Sequence, residues 1–232
     1  MAIGLIVLFG ISFLIFLFLE VKEHWIWAYR MKGLTSLLFI LNGLYAVVEQ
    51  TSNIATSSRV VFVLFLTALV FGLLGDLVLA LRPLRPQTDN IPLIQSGITY
   101  FSIGHILYYV GLVVVSRVAL FPFLFSVVVT IIVIVGSIVM KFEMGKARIP
   151  SYLYSFLIFL MVGQAISFYQ IDAGSIKALL ILIGAVLFGI SDLILAMIYF
   201  HHESKKGYVI ANLSTYYGAQ LLIALSLSYF LR

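Results

Sequence analysis

"RVVFVLFLTALVFGLLGDLVLAL" spans Arg59–Leu81, and only Arg59 at its start and Asp76 near its end carry charge. A helix that crosses a bilayer needs about twenty mostly apolar residues. This run is long enough, and it reads as a transmembrane helix. Asp76 is the exception inside it. A carboxylate at membrane depth costs roughly 2.5–3.5 kcal/mol on insertion scales, so a chain that keeps one there has something that offsets the cost.

Seven further segments read the same way. With the first, they run roughly over 2–19, 32–49, 59–81, 93–116, 119–140, 150–170, 177–200 and 208–231. The expected fold is therefore all-α: a polytopic membrane protein of eight transmembrane helices, with residues 1–232 forming a single integral membrane domain. The N-terminal run lacks a basic flank and a small-residue cleavage site, so it reads as the first span rather than a signal peptide. The longest clear loop is "RPLRPQTDNIP" (Arg82–Pro92), whose prolines suit a helix stop and a helix start.

Composition agrees. Of 232 residues, 63% are hydrophobic and 10% charged, against about 25% charged in soluble domains. The formal charge of +5 calls for no nucleic-acid partner, because basic residues of membrane proteins collect in cytoplasmic loops. The chain has no cysteine, which excludes disulfides, thiolate metal sites and cysteine nucleophiles.

Loop charges set the expected orientation. The loops after helices one, three, five and seven hold Lys22, Arg30, Lys32, Arg82, Arg85, Lys141, Lys146, Arg148, Lys205 and Lys206. The other side holds Arg59, Arg117, Lys177 and Arg232. Ten against four places the first set in the cytoplasm and both termini outside, in a cell-membrane protein.

An internal repeat is visible. "GDLVLAL" (Gly75–Leu81) returns as "SDLILAM" (Ser191–Met197), with Asp76 and Asp192 separated by 116 positions, half the chain. The same offset relates Lys32 to Arg148. It points to two parallel four-helix halves, a plan that some transporters use; chance likeness between oily helices is the competing reading.

Asp76 and Asp192 each lie a few residues inside the cytoplasmic end of a helix, beside Gly72, Gly75, Gly189 and Ser191. Small residues let helices approach, so the two carboxylates are expected to share one pocket. His105 is the one histidine placed inside the bilayer; His24, His201 and His202 fall in loops. Tyr108 follows it on the same helix face. Helix eight carries Tyr216, Tyr217 and Gln220 on one face, and Lys32 is expected to open helix two, where it could neutralise a carboxylate or a substrate phosphate. Glu20, Glu49, Trp25 and Trp27 read as membrane-edge residues. No phosphate loop, HExxH or GxSxG motif is present. With no Cys and one deep His, neither a zinc site nor another cofactor is expected.

Taken together, Gly75-Asp76 on helix three, Gly104-His105 on helix four, Ser191-Asp192 on helix seven and Tyr217 with Gln220 on helix eight resemble the lysoplasmalogenase-like membrane family, also called the YhhN family. One departure is that Lys32 is followed by Gly33, where the family tends to have Lys-Pro. The resemblance implies hydrolysis of the vinyl ether bond of a lysophospholipid-like substrate, a lysoplasmalogen, to a fatty aldehyde and a glycerophospho-head group. Asp76, Asp192 and His105 would then be the catalytic set, with Lys32, Tyr108, Tyr217 and Gln220 holding substrate. Cleaving a vinyl ether needs a proton donor for the β-carbon, an anion to stabilise the oxocarbenium ion, and a base for water. Two carboxylates in different surroundings can divide those roles, as in glycosidases. The sequence does not say which is acid and which is base. The alternative function is a transporter or proton-coupled carrier that uses the paired aspartates as a relay. Helices two and six offer no feature that separates these readings.

Overall fold

A computed structural model describes residues 2–49, 54–85, 90–201 and 206–231. His202, Lys205 and Arg232 lie outside this set. Among the described residues the fold is all-helical: α1 (Ala2–Val21), α2 (Trp25–Leu44), α3 (Thr56–Leu79), α4 (Asn90–Val115), α5 (Leu120–Val139), α6 (Arg148–Ile171), α7 (Ile176–Phe200) and α8 (Lys206–Ser226). Seven of the eight are long and apolar enough to cross a membrane. The other, α8, is the helix interrupted by Asn212, Thr215, Tyr216, Tyr217 and Gln220.

Two boundaries differ from the sequence reading in ways that matter. Helix α2 begins at Trp25, seven residues before Lys32. Lys32 therefore does not open the helix but sits two turns inside it. Hydropathy misses these turns because Trp25, Tyr29 and Arg30 are interfacial residues rather than oily ones, yet nothing in them breaks a helix. Helix α4 begins at Asn90, so Pro92 falls in its first turn, where the missing N–H costs nothing.

The helices form a closed ring. Going round, α2 packs on α3, α3 on α4, α4 on α6, α6 on α7, α7 on α8, and α8 back on α2. Outside the ring, α1 lies against α2 and α8, and α5 lies against α6. The outer position of α1 and α5 shows in their exposed Val7, Ile11, Leu14, Phe18, Val128, Ile131, Val135 and Ile138. Each neighbour pair of the first four helices recurs in the last four: α1–α2 as α5–α6, α2–α3 as α6–α7, and α3–α4 as α7–α8. The two halves also meet each other in matching fashion, α8 on α2 and α4 on α6. The repeat in the sequence is thus a repeat in the architecture.

Small residues close the tightest pairs. A Cβ on Gly104 of α4 would stand 3.3 Å from the Ala68 carbonyl oxygen of α3, and one on Gly184 of α7 would stand 3.1 Å from the Ala219 carbonyl oxygen of α8. Polar side chains add cross-links where no water competes. Ser12 and Thr35 pair at 2.8 Å between α1 and α2. Asn212 of α8 donates to the backbone oxygen of Ser191 on α7 at 2.8 Å, and the Ser191 hydroxyl donates back to the Asn212 carbonyl at 3.2 Å. Ser191, the first residue of the Ser-Asp motif, is therefore a latch between helices that fixes where Asp192 points.

Candidate functional site

Asp76 is buried on the inner face of α3. Lys32, one helix away on α2, brings its Nζ to 3.5 Å from Oδ1. Ser36, one turn further along α2, donates to Oδ2 at 2.6 Å, and Tyr216 of α8 donates to the same oxygen at 2.8 Å. The next residues out repeat the direction. Gln220 Nε2 donates to the Tyr216 oxygen at 3.2 Å, and Tyr108 of α4 donates to Gln220 Oε1 at 3.0 Å. Tyr217 lies 3.0 Å from Ser36 Oγ. Ser36 has one proton and gives it to Asp76, so Tyr217 must be the donor in that pair. Every hydrogen bond in this network runs towards one carboxylate, an arrangement that an acceptor-only anion satisfies.

Asp192 is placed differently. It is half-buried on α7, and among the described residues its one hydrogen bond is with Tyr154 of α6, at 2.7 Å. The Tyr154 oxygen also lies 3.4 Å from His105 Nε2, and His105 Nδ1 lies 3.4 Å from Met161 Sδ. Phe188 stands edge-on to the imidazole at 4.6 Å between centroids.

Both carboxylates line one cavity of about 380 Å³. Glu20, Lys32, Arg82, Arg85, Asn212 and Tyr216 contribute to its polar wall. It opens where α1, α3 and α7 end and α2, α4 and α8 begin, the end that carries the larger set of basic loop residues. Arg82 lies over the Tyr199 ring at 3.7 Å, and its Nε is buried without a partner among the described residues. A second, narrower cavity of about 80 Å³ lies between α4, α5, α6 and α7, walled chiefly by apolar side chains. Asp192, Leu79, Phe101, Leu195 and Tyr199 belong to both.

The sequence-derived residues thus fall into three positions. Asp76, Asp192 and Lys32 line the polar cavity. Tyr108, Tyr217 and Gln220 are fully buried behind Asp76 and line neither cavity; they reach it through Tyr216 and Ser36. His105 also lines neither cavity and meets Asp192 through Tyr154. Sequence reasoning missed Ser36, Tyr154 and Arg82 as members of the site. Helix six had offered no feature, yet its Tyr154 is the residue bonded to Asp192. One signal was available for Ser36: its i+4 spacing from Lys32 puts it on the same face.

No group of His, Asp and Glu that could hold a metal occurs among the described residues. In comparisons with known proteins, a family model described as the YhhN family matches residues 27–227. No curated protein and no solved structure matches.

Proposed function

The chain belongs to the YhhN family, and from that premise we propose that it is a lysoplasmalogenase-like hydrolase that cleaves the vinyl ether bond of a single-chain phospholipid. One observation carries the reading: two carboxylates on the wall of one membrane-embedded cavity are held in opposite ways. Asp76 receives donors from Ser36 and Tyr216 and an ion pair from Lys32. Asp192 has a single phenol.

With His105 neutral, the hydrogen bonds around Asp192 all close only when Asp192 carries a proton. With Asp192 ionised, Tyr154 donates to it, and His105 must give its Nε2 proton to the phenol. The bare Nδ1 then faces the Met161 sulfur with no proton between them. With Asp192 protonated, its hydroxyl donates to Tyr154, Tyr154 donates to His105 Nε2, and Nδ1–H donates to sulfur. Each donor then has an acceptor.

The roles follow. Asp192 gives its proton to the β-carbon of the vinyl ether, leaving an oxocarbenium ion at the carbon bonded to oxygen. Asp76 supplies the negative charge that stabilises the cation. Water adds to that carbon, and its proton passes to a carboxylate. The hemiacetal then collapses: its hydroxyl gives up its proton, the carbon–oxygen bond to glycerol breaks, the glycerol oxygen takes up that proton by way of a carboxylate, and a fatty aldehyde leaves. One water is consumed and Asp192 ends protonated. His105 does not touch the reacting atoms in this scheme; it is a positioning residue that acts through Tyr154.

The rival, a proton-coupled carrier, draws on the repeated halves. Its weakness is that the other end of the ring is filled by Phe65, Tyr108, Phe168 and Phe230, which suits a site reached from one side. Purified protein given a defined lysoplasmalogen should release fatty aldehyde, and should leave the saturated-ether analogue intact. Absence of aldehyde, together with proton-driven uptake of a solute into vesicles, would favour the carrier.

A further inference from the structure

The two cavities meet at a common wall of Leu79, Phe101, Asp192, Leu195 and Tyr199. The polar one draws on α1, α2, α3, α4, α7 and α8, and the apolar one chiefly on α4, α5, α6 and α7. The acid and the cation that the polar wall takes from α1 and α2 are not repeated on the apolar wall. Glu20 of the polar cavity corresponds, 116 positions on, to Gly136, and Lys32 corresponds to Arg148. Arg148 is exposed at the start of α6 and does not line the apolar cavity. Of the two carboxylates, only Asp192 borders the apolar side.

We propose that these two adjoining cavities form one binding site for an amphiphile. The apolar cavity, walled by Val133, Phe142, Ile158, Phe159 and Phe200, takes the hydrocarbon chain. The polar cavity takes the phosphate-bearing head, with Arg82 and Arg85 near its mouth. A guanidinium is suited to phosphate because its planar donors match the oxygens. The bond joining chain to head lies at Asp192, on the wall between the two. One apolar cavity meets that carboxylate, so the site takes a lipid with one chain. This inference rests on the hydrolase reading for its substrate class but concerns binding alone.

The test uses the full-length protein and a lysophosphatidylethanolamine whose chain is joined by a saturated ether and ends in a photoreactive diazirine. This probe has no double bond to protonate, so it is bound without being consumed. After irradiation, peptides should carry the label at Val133, Phe142, Phe159 or Phe200, and excess unlabelled saturated-ether lipid should abolish it. Ala196→Phe, which fills the apolar cavity, should lose that labelling. Label confined to outward residues such as Ile131 and Val135, label at Trp25 or Tyr29 of the polar cavity, or label that competitor does not reduce would each overturn the assignment. Competed label in the apolar cavity of a protein that releases no aldehyde would sink the hydrolase reading and leave the chain site standing. Aldehyde release with label elsewhere would do the reverse.

Discussion

Lys32 Nζ lies 3.5 Å from Asp76 Oδ1 between two helices of the ring, and the two residues are unequal partners. Lys32 lines the polar cavity, which is roomy enough for water, while Asp76 is only 2% exposed. Lys32→Met leaves a buried acceptor without its cation and should cost roughly 3–5 kcal/mol of stability. Asp76→Asn leaves a cation that can turn to the cavity and should cost less. The double variant should recover most of what Lys32→Met loses. Thermal unfolding of the three variants in detergent checks this; additive losses in the double variant would show that the pair is not coupled.

Asp76→Asn and Asp192→Asn should each abolish vinyl ether hydrolysis in protein that remains folded. The amide keeps the shape and still accepts a hydrogen bond, but it neither delivers a proton nor carries charge. A general acid or base contributes roughly 10²–10⁴-fold, so either loss is plain in an aldehyde-release assay. Near-normal turnover in both variants would remove the two-carboxylate mechanism, and unfolding of both would make the aspartates structural.

Tyr154→Phe breaks the bridge between His105 and Asp192 while keeping the ring. It should lower kcat by roughly ten- to a hundredfold, the worth of a hydrogen bond to an ionisable group, with KM nearly unchanged. His105→Gln should be milder, because His105 acts one bond further away, at 3.4 Å from the phenol. A purely structural role for Tyr154 would lower stability and leave the kcat of the surviving protein intact. A loss in His105→Gln as deep as in Asp192→Asn would place the histidine in the chemistry itself.

What the sequence revealed, and what it hid, divides along physical lines. The helices are visible as runs because membrane solvation acts on each separately, and α8 is the least oily of them. Asp76 and Asp192 are visible because charge in such runs is rare and the motif repeats. The start of α2 is hidden because Trp25 and Arg30 suit the interface rather than the oil. Ser36 and Tyr154 are hidden for a different reason. Serine and tyrosine are ordinary in spanning helices, and their role depends on the rotation of α2 against α3 and of α6 against α7. Hydropathy does not encode that rotation. The position of His105 shows the same limit: its depth is legible, but Tyr154 standing between it and Asp192 is not.

Orientation gives a prediction independent of the site. The ten-to-four bias of basic loop residues predicts that both termini lie outside the cytoplasm and that the polar cavity opens to the cytoplasm. A reporter fused after α8 should be active only on the outer side of the membrane. Activity confined to the cytoplasm would invert the fold in the bilayer and move the cavity mouth to the other face.

The last prediction separates two glycines that look alike in sequence. A Cβ on Gly72 of α3 would lie 2.6 Å from Gln220 Nε2, whereas one on Gly136 of α5 meets nothing within 4 Å. Gly72→Ala must therefore displace the Gln220 amide, which donates to Tyr216, which in turn donates to Asp76. Overpacking of this kind costs typically about 1–3 kcal/mol, and here it also disturbs the donors that hold the carboxylate. Stability and turnover should both fall. Gly136→Ala should leave both unchanged or raise stability slightly, since alanine is the better helix former. Thermal unfolding with aldehyde release on the two variants checks the pair. Equal behaviour of the two would mean that Gln220 moves freely and that the chain from Tyr108 to Asp76 does not constrain the site.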